Sequence, residues 1–379
     1  MKVDNSLKFI IDFDKRLFDF INNQRLNEPY LFLSPNNRAN QESLFFERLA
    51  AGASYEPSFE YDDLGFEQEI NTLNSFKEEI KLAKLDEFFN KLRGFYIDKI
   101  DEIILFAKLI ESRGTNKFNN YSIQAYGSPT KKDFLLAFFI AKIYYYYGVI
   151  GKFFKKRYLS RDDIYLYFKS FFFKKNMIGW KLEFDDGLLS TAVLISHEKK
   201  VVLNGRHSFT KQEIMMLIRH ELGVHALRNI EGGKVLDLFA FGFAKYDFLE
   251  EGLATYKEFG FYNPLDVLIG PALKLIAVYK ANNLSFFETY SYLKKLTSNS
   301  QLSFDLTLRA KRGTEFNVGA YTKDFLYFKG YTKLLVLTLK NIFNPFFINS
   351  LSIGKIGFGE IKDLDYLRKI KKLILNKRN

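Results

Sequence analysis

Residues 210–233 read TKQEIMMLIRHELGVHALRNIEGG, and the way this stretch folds decides what the chain can be. Thr210-Lys211-Gln212-Glu213 is a capping box, in which hydroxyl and carboxylate satisfy each other's backbone N–H at a helix start. Ile214, Leu217, Ile218 and Leu222 then supply an apolar face, and Gly232-Gly233 closes the element. Inside it stands His220-Glu221-Leu222-Gly223-Val224-His225. The zinc-site pattern H-E-x-x-H puts two histidines at i and i+4, on one helix face. Here the spacing is i, i+5. On a regular helix that leaves the imidazoles roughly 140° apart, too far round to share an ion. The pair serves a metal only if the helix widens or breaks between them. Gly223 stands where such distortion costs least, and a π-bulge would restore the facing. Irregular backbone bonding across Arg219–Leu227 is therefore expected; a regular helix with diverging imidazoles would defeat the metal reading.

A catalytic zinc takes three protein ligands and keeps one position open. The chain has no cysteine, so the third ligand is a histidine, aspartate or glutamate, and disulfides are excluded. The four histidines all lie in one short segment; His197 reads as a turn residue and His207 as a polar residue before the helix. Glu250-Glu251-Gly252-Leu253-Ala254 is the best source of a third ligand. Asp247 can cap a helix there with Glu250 as capping partner, which leaves Glu251 to face the metal. Glu221, beside His220, is the candidate general base that activates water.

The 379 residues suffice for one large domain or two of ordinary size. A net charge of +12 fits a nucleic acid, an anionic surface or an acidic substrate. The basic residues are spread out, dense only at Arg368–Arg378, and no nucleic-acid-binding module is present. Phe134–Ile150 is rich in Phe, Leu and Tyr, but Lys142, Tyr144–Tyr147 and Gly148 interrupt it, so it reads as a buried or half-buried helix. Leu334–Phe347 is shorter and broken by Lys340, Asn344 and Pro345. The first residues carry Asp4, Asp12 and Asp14 and lack the order of a signal peptide. A soluble, cytoplasmic protein without a membrane span is expected.

Residues 1–115 read as a helical N-terminal region. Asn5–Asn22 has apolar residues at helical spacing, Asn27–Glu60 is loop-rich, and Glu67–Arg113 is a long amphipathic stretch with a break near Gly94. Residues 116–379 form the expected catalytic domain, packed with the first region as one unit. Trp180–Phe184, Thr191–Ser196 and Lys200–Leu203 suit strands, with turns at Asp185-Asp186-Gly187 and His197–Lys199. The expected fold class is α+β, mostly helical, with a small antiparallel sheet beside the active-site helix.

Three ordered blocks carry a resemblance to a known family. His220–His225 fits H-E-[IL]-G-[TV]-H, and Glu250–Ala254 fits [QE]-E-G-L-A. Leu308–Gly330 is similar to R-x-x-R-G … G-G-x-[FY]-T-K-D-x-x-Y-L-x-G, with Arg309, Arg312, Gly313, Gly319, Thr322, Lys323, Asp324, Tyr327 and Gly330 in register and Val318 replacing the first paired glycine. These blocks resemble the microtubule-associated tyrosine carboxypeptidases and their bacterial homologues. The resemblance implies a zincin-like metallopeptidase fold, zinc held by His220, His225 and Glu251, and Glu221 as general base. It implies removal of a C-terminal residue, with aromatic residues as precedent. The tubulin substrate belongs to particular members and does not carry over.

A carboxypeptidase must also hold the terminal carboxylate, for which an arginine fork is suited. Arg312 and Lys323 are the favoured cations, with Arg309 and Arg228 as further candidates; a solvated face or an ion pair with Asp324 is the competing reading. Tyr327 either donates to the oxyanion or packs in the core. The expected partner is the C-terminus of a peptide or protein, acidic in character. The alternative is a non-catalytic or regulatory binding protein that keeps the fold and grips an acidic partner with its basic surface.

Overall fold

The computed structural model describes residues 2–24, 26–151, 157–186, 188, 191–196, 198–258, 264–314 and 318–378; the expected turn residues Gly187 and His197 lie outside them. Among the described residues seven α-helices precede a small sheet: α1 (Lys2–Asn23), α2 (Arg38–Ala50), α3 (Glu67–Leu82), α4 (Asn90–Glu111), α5 (Lys117–Tyr126), α6 (Lys131–Gly151) and α7 (Arg161–Lys174). The strands are β1 (Lys181–Asp185), β2 (Ala192–Ile195) and β3 (Lys200–Asn204). Then follow α8 (Lys211–Leu217), a wide-turn segment (Ile218–Ala226), α9 (Leu227–Gly233), α10 (Asp237–Phe241), α11 (Asp247–Glu258) and α12 (Pro264–Ala281). The described chain closes with α13 (Phe286–Thr297), α14 (Ser300–Lys311), α15 (Leu326–Lys340), α16 (Phe347–Ser350) and α17 (Leu364–Arg378).

The main core draws on both ends of the chain. It takes in Leu7 and Ile21 of α1, Ile103 of α4, Leu253 of α11, Ile276 of α12, Leu326 of α15 and Ile374 of α17. Apolar residues recurring at helical spacing put one stripe of α1 into it. Asp14, also buried, fastens α1 and α4 to the start of α10: it accepts from the Tyr96 hydroxyl at 2.8 Å and from the N–H groups of Asp237 and Leu238 at 2.6 and 3.0 Å. A second core lies beneath the sheet, with Phe168, Trp180, Val201, Leu203 and Ile214. A third joins Phe45 of α2 to Phe286, Tyr290 and Phe304. The wide-turn segment bridges the first two: Val224 enters the main core, while Ile218, Leu222 and Ala226 enter the second. Burying Val224 and Leu222 contributes about 1.5–3 kcal/mol each, which clamps the segment from two sides.

Three expectations from the sequence are corrected. The sheet is mixed rather than antiparallel: its order is β1-β3-β2, with β1 parallel and β2 antiparallel to β3. β3 takes the centre because Val201, Val202 and Leu203 are all buried, as a strand covered on both faces requires; β1 and β2 are its more exposed edges. The break in the long N-terminal stretch falls after Leu82, where Ala83 is extended (ψ 131°) and Asp86 caps a short 3-10 turn, while α4 runs through Gly94 unbroken. The loop-rich Asn27–Glu60 contains α2, held by the burial of Phe45 in the third core. Among the described residues no helix is long and apolar enough to cross a membrane.

Candidate metal centre

The site begins with the cap that the sequence specifies. Thr210 N–H and Oγ1 both donate to Glu213 Oε2, at 2.7 and 2.8 Å, and Glu213 N–H donates back to Thr210 Oγ1. After two turns of α8 the bonding widens to a π-helix over Ile218–Ala226 and returns to α-helix at Leu227. The i→i+5 pattern turns residues five apart toward one side, and the rings of His220 and His225 meet with centroids 4.9 Å apart. The irregularity expected across Arg219–Leu227 is thus present, one residue earlier at each end. A Cβ on Gly223 would meet only Ile218 O at 3.6 Å, an ordinary contact, so the widening does not hang on a missing side chain there.

Each imidazole is oriented from behind. His220 Nδ1 faces Glu258 Oε1 at 2.6 Å, and His225 Nδ1 faces Glu250 Oε1 at 2.9 Å. A proton on each Nδ1, facing its carboxylate, would turn each Nε2 toward a metal as the ligating atom. Glu251 Oε2 stands before them, 3.6 Å from His220 Nε2 and 3.8 Å from His225 Nε2. That oxygen is buried without a hydrogen-bond partner. One ligand atom from each of His220, His225 and Glu251 lies within 4.8 Å of the others. Two imidazole nitrogens and one carboxylate oxygen are a donor set suited to a divalent transition metal. An orphaned acceptor aimed between two imidazoles fits that assignment.

The electrostatics agree. Burial opposes the charge on Glu251, but His220, His225 and Lys323 outweigh it and bring the carboxyl to about 2. Burial likewise opposes Glu250, and Arg228 with His225 overcomes it, again to about 2. His220 is drawn well above the ordinary histidine range, since Glu251, Glu258 and Glu221 outweigh its burial. The cluster of acids asks for positive charge between the rings.

Glu250 has a different tether from the one expected. It is not a capping partner; it binds His225 and the buried Arg228 guanidinium. Arg228 also donates to Gly354 O at 2.9 Å and Ile356 O at 3.0 Å. With Nε, Nη1 and Nη2 all engaged in the interior, Arg228 is withdrawn from the candidates for a substrate carboxylate. Asp247 lies in the first turn of α11 and pairs with Lys323 at 3.2 Å.

The second and third sequence blocks meet where α11 crosses α15. A Cβ on Gly252 would lie 2.4 Å from Gly330 C, and one on Gly330 would lie 2.3 Å from Phe248 O. Only glycines allow this approach. It sets Tyr327 over the site, its ring stacked on His220 at 6.3 Å. Behind Tyr327, Arg309 grips Asp324 through Nε (2.6 Å) and Nη2 (2.9 Å). Arg312 lies over the Tyr321 ring at 4.8 Å, with its Nε buried and unpartnered. His207 stands apart, 3.7 Å from Glu213 and against Phe209. Two residues at the site carried no signal in the motifs. Glu258 is one, although its place seven residues after Glu251 puts both on one stripe of α11. Lys274 of α12 is the other; its Nζ lies 3.7 Å from the centre of the Tyr327 ring.

Comparison with known proteins gives the arrangement a family. The sequence pattern described as "Microtubule-associated tyrosine carboxypeptidase" matches residues 45–376. The chain belongs to the microtubule-associated tyrosine carboxypeptidase family. It is 26% identical over 195 residues to human "Microtubule-associated tyrosine carboxypeptidase 1", covering 49% of this chain and 40% of that protein. It is 25% identical over 226 residues to mouse "Putative tyrosine carboxypeptidase MATCAP2", covering 56% of this chain and 41% of that protein. The matched stretch thus spans about two-fifths of the length of these curated relatives. The family match begins within α2, so it takes in α3 to α7 as well as the metal centre and leaves α1 outside.

Proposed function

We propose that the chain is a zinc-dependent carboxypeptidase that removes one residue, aromatic by family precedent, from the C-terminus of a protein or peptide. The observation that carries this reading is the placement of Glu251 Oε2 before the two Nε2 atoms, in a member of a carboxypeptidase family. His220, His225 and Glu251 would hold the zinc. When bound, zinc supplies Lewis acidity, polarising the scissile carbonyl and acidifying water. Glu221 follows His220 directly and is half-buried on the same wide turn. It takes the proton from the attacking water and passes it to the leaving amine. Tyr327 keeps its proton, because burial and the charges of Glu251 and Asp324 push its pKa well up. A protonated phenol stacked on His220 would donate to the oxygen that gains charge in the transition state. Lys323, which pairs with Asp247 and lies over the Tyr30 ring, and Arg309 and Arg312 are the cations that would meet an acidic chain end.

The test is mass spectrometry of a peptide library with varied C-termini, incubated with zinc-loaded wild type and Glu221→Gln. Loss of a single terminal residue by wild type alone is the expected result. Internal cleavage, or equal products from both proteins, would overturn the reading.

A further inference from the structure

We infer that Lys274, together with the free edge of Arg309, forms the anion site that holds the substrate's terminal carboxylate. The inference rests on the carboxypeptidase reading and adds a residue that none of the three sequence blocks contains. Lys274 stands half-buried on α12 with its Nζ 3.7 Å above the Tyr327 ring, and that ring stacks on His220. The ammonium is therefore one aromatic ring away from a metal ligand.

Charge pairing around the site leaves Lys274 and Arg312 without a carboxylate among the described residues, and Lys274 lies against the Tyr327 ring while Arg312 lies against Tyr321. Arg228 is matched by Glu250, Lys323 by Asp247 and Arg309 by Asp324. Among the described residues, no carboxylate lies within ion-pairing distance of Lys274. Asp324, Glu251 and Glu258 act on it from further off, but Asp324 is bound to Arg309, Glu258 is bound to His220 and Glu251 faces the two Nε2 atoms. Arg309 stands near enough to repel Lys274, and burial with that repulsion lowers the lysine's pKa. Arg309 spends Nε and Nη2 on Asp324, while Nη1 makes no hydrogen bond among the described residues.

Lys274 and Arg309 are both half-buried and repel each other, and an anion lodged between them would convert the repulsion into attraction. A carboxylate fits by count: one oxygen for the ammonium, the other for Nη1. An amide-capped chain end brings no charge and points its own N–H donors at two cations. The pair would thus favour a free C-terminus and reject internal peptide bonds.

The test uses zinc-loaded Glu221→Gln protein, which holds peptide without turnover, and isothermal titration with one peptide as its C-terminal acid and as its amide. The acid is expected to bind about tenfold tighter or more. Adding Lys274→Met should remove that preference while leaving the amide's affinity within about twofold, and Lys274→Arg should restore most of it. Zinc content and the thermal midpoint of each variant confirm that it folds. The inference is overturned if the parent shows no preference for the acid. It is also overturned if Lys274→Met keeps the preference, or weakens both peptides equally as lost packing would. Failure of the carboxypeptidase reading shows separately, as wild type that binds the acid peptide but releases nothing from it.

Discussion

Two carboxylates, Glu258 and Glu250, face the Nδ1 atoms of the two histidines, and their roles differ. Glu258 holds His220 alone. Glu250 holds His225 and also neutralises the buried Arg228. Glu258→Gln should therefore keep the fold and weaken metal binding about 10- to 100-fold, the usual cost of losing such an orienting partner. Competition against a chromophoric chelator measures it, and an unchanged metal affinity would remove Glu258 from the site. The sequence shows the candidate ligands and base because family spacing marks them: His220, His225 and Glu251 as ligands and Glu221 as base stand in short recognisable blocks. It hides Glu258 and Lys274 because a single charged residue on a helix carries no sign of the ring it will touch. Arg228 shows the reverse error. It lies three residues after His225, near enough in sequence to suggest a substrate role, but its side chain points into the interior toward Gly354 and Ile356.

At the scale of elements, two devices build the centre. The π-helix over Ile218–Ala226 brings the histidines together, and the glycine contact between α11 and α15 brings Glu251 and Tyr327 to them. The first is legible from spacing alone, since residues five apart cannot share a face of a regular helix. Its extent is close to legible as well: irregular bonding is expected across Arg219–Leu227, and the π-helix runs one residue earlier at each end, with Val224 and Leu222 packed into different cores. The mixed sheet is hidden, because alternation and turns identify three strands but not which of them lies between the others. The crossing makes a sharp expectation. Gly252→Ala would force its new methyl into the Gly330 backbone, and overpacking of this kind costs about 1–3 kcal/mol. Urea unfolding should show the midpoint fall, with metal affinity falling too as α11 shifts. An unchanged midpoint would mean that the helices do not cross this closely.

For the whole molecule, the N-terminal helices and the motif-bearing helices share one interior, so unfolding should report the acids at the metal centre globally. Glu250 sits at about 2 in the folded chain against an ordinary 4.5. A depressed carboxyl stabilises the fold above its unfolded value and loses that contribution as pH falls through the folded one. Metal-free protein should thus lose stability between about pH 4.5 and about pH 2, and Glu250→Gln should flatten that slope while lowering stability at neutral pH, where it leaves Arg228 buried without its anion. Equal slopes for both proteins in chelator-treated acid titrations would contradict the placement of Glu250. Mostly helical character was readable from periodicity. The sharing of one core was only an expectation, because residues 1–115 carry no motif and packing between distant helices leaves little trace in local pattern. The central claim is that one zinc ion is held by three named side chains. Anomalous diffraction at the zinc absorption edge, from crystals of protein purified without added metal, tests it most directly. One peak per chain, bonded to His220 Nε2, His225 Nε2 and the Glu251 carboxylate, is the expected result; no peak, or a peak away from these three side chains, would contradict the account.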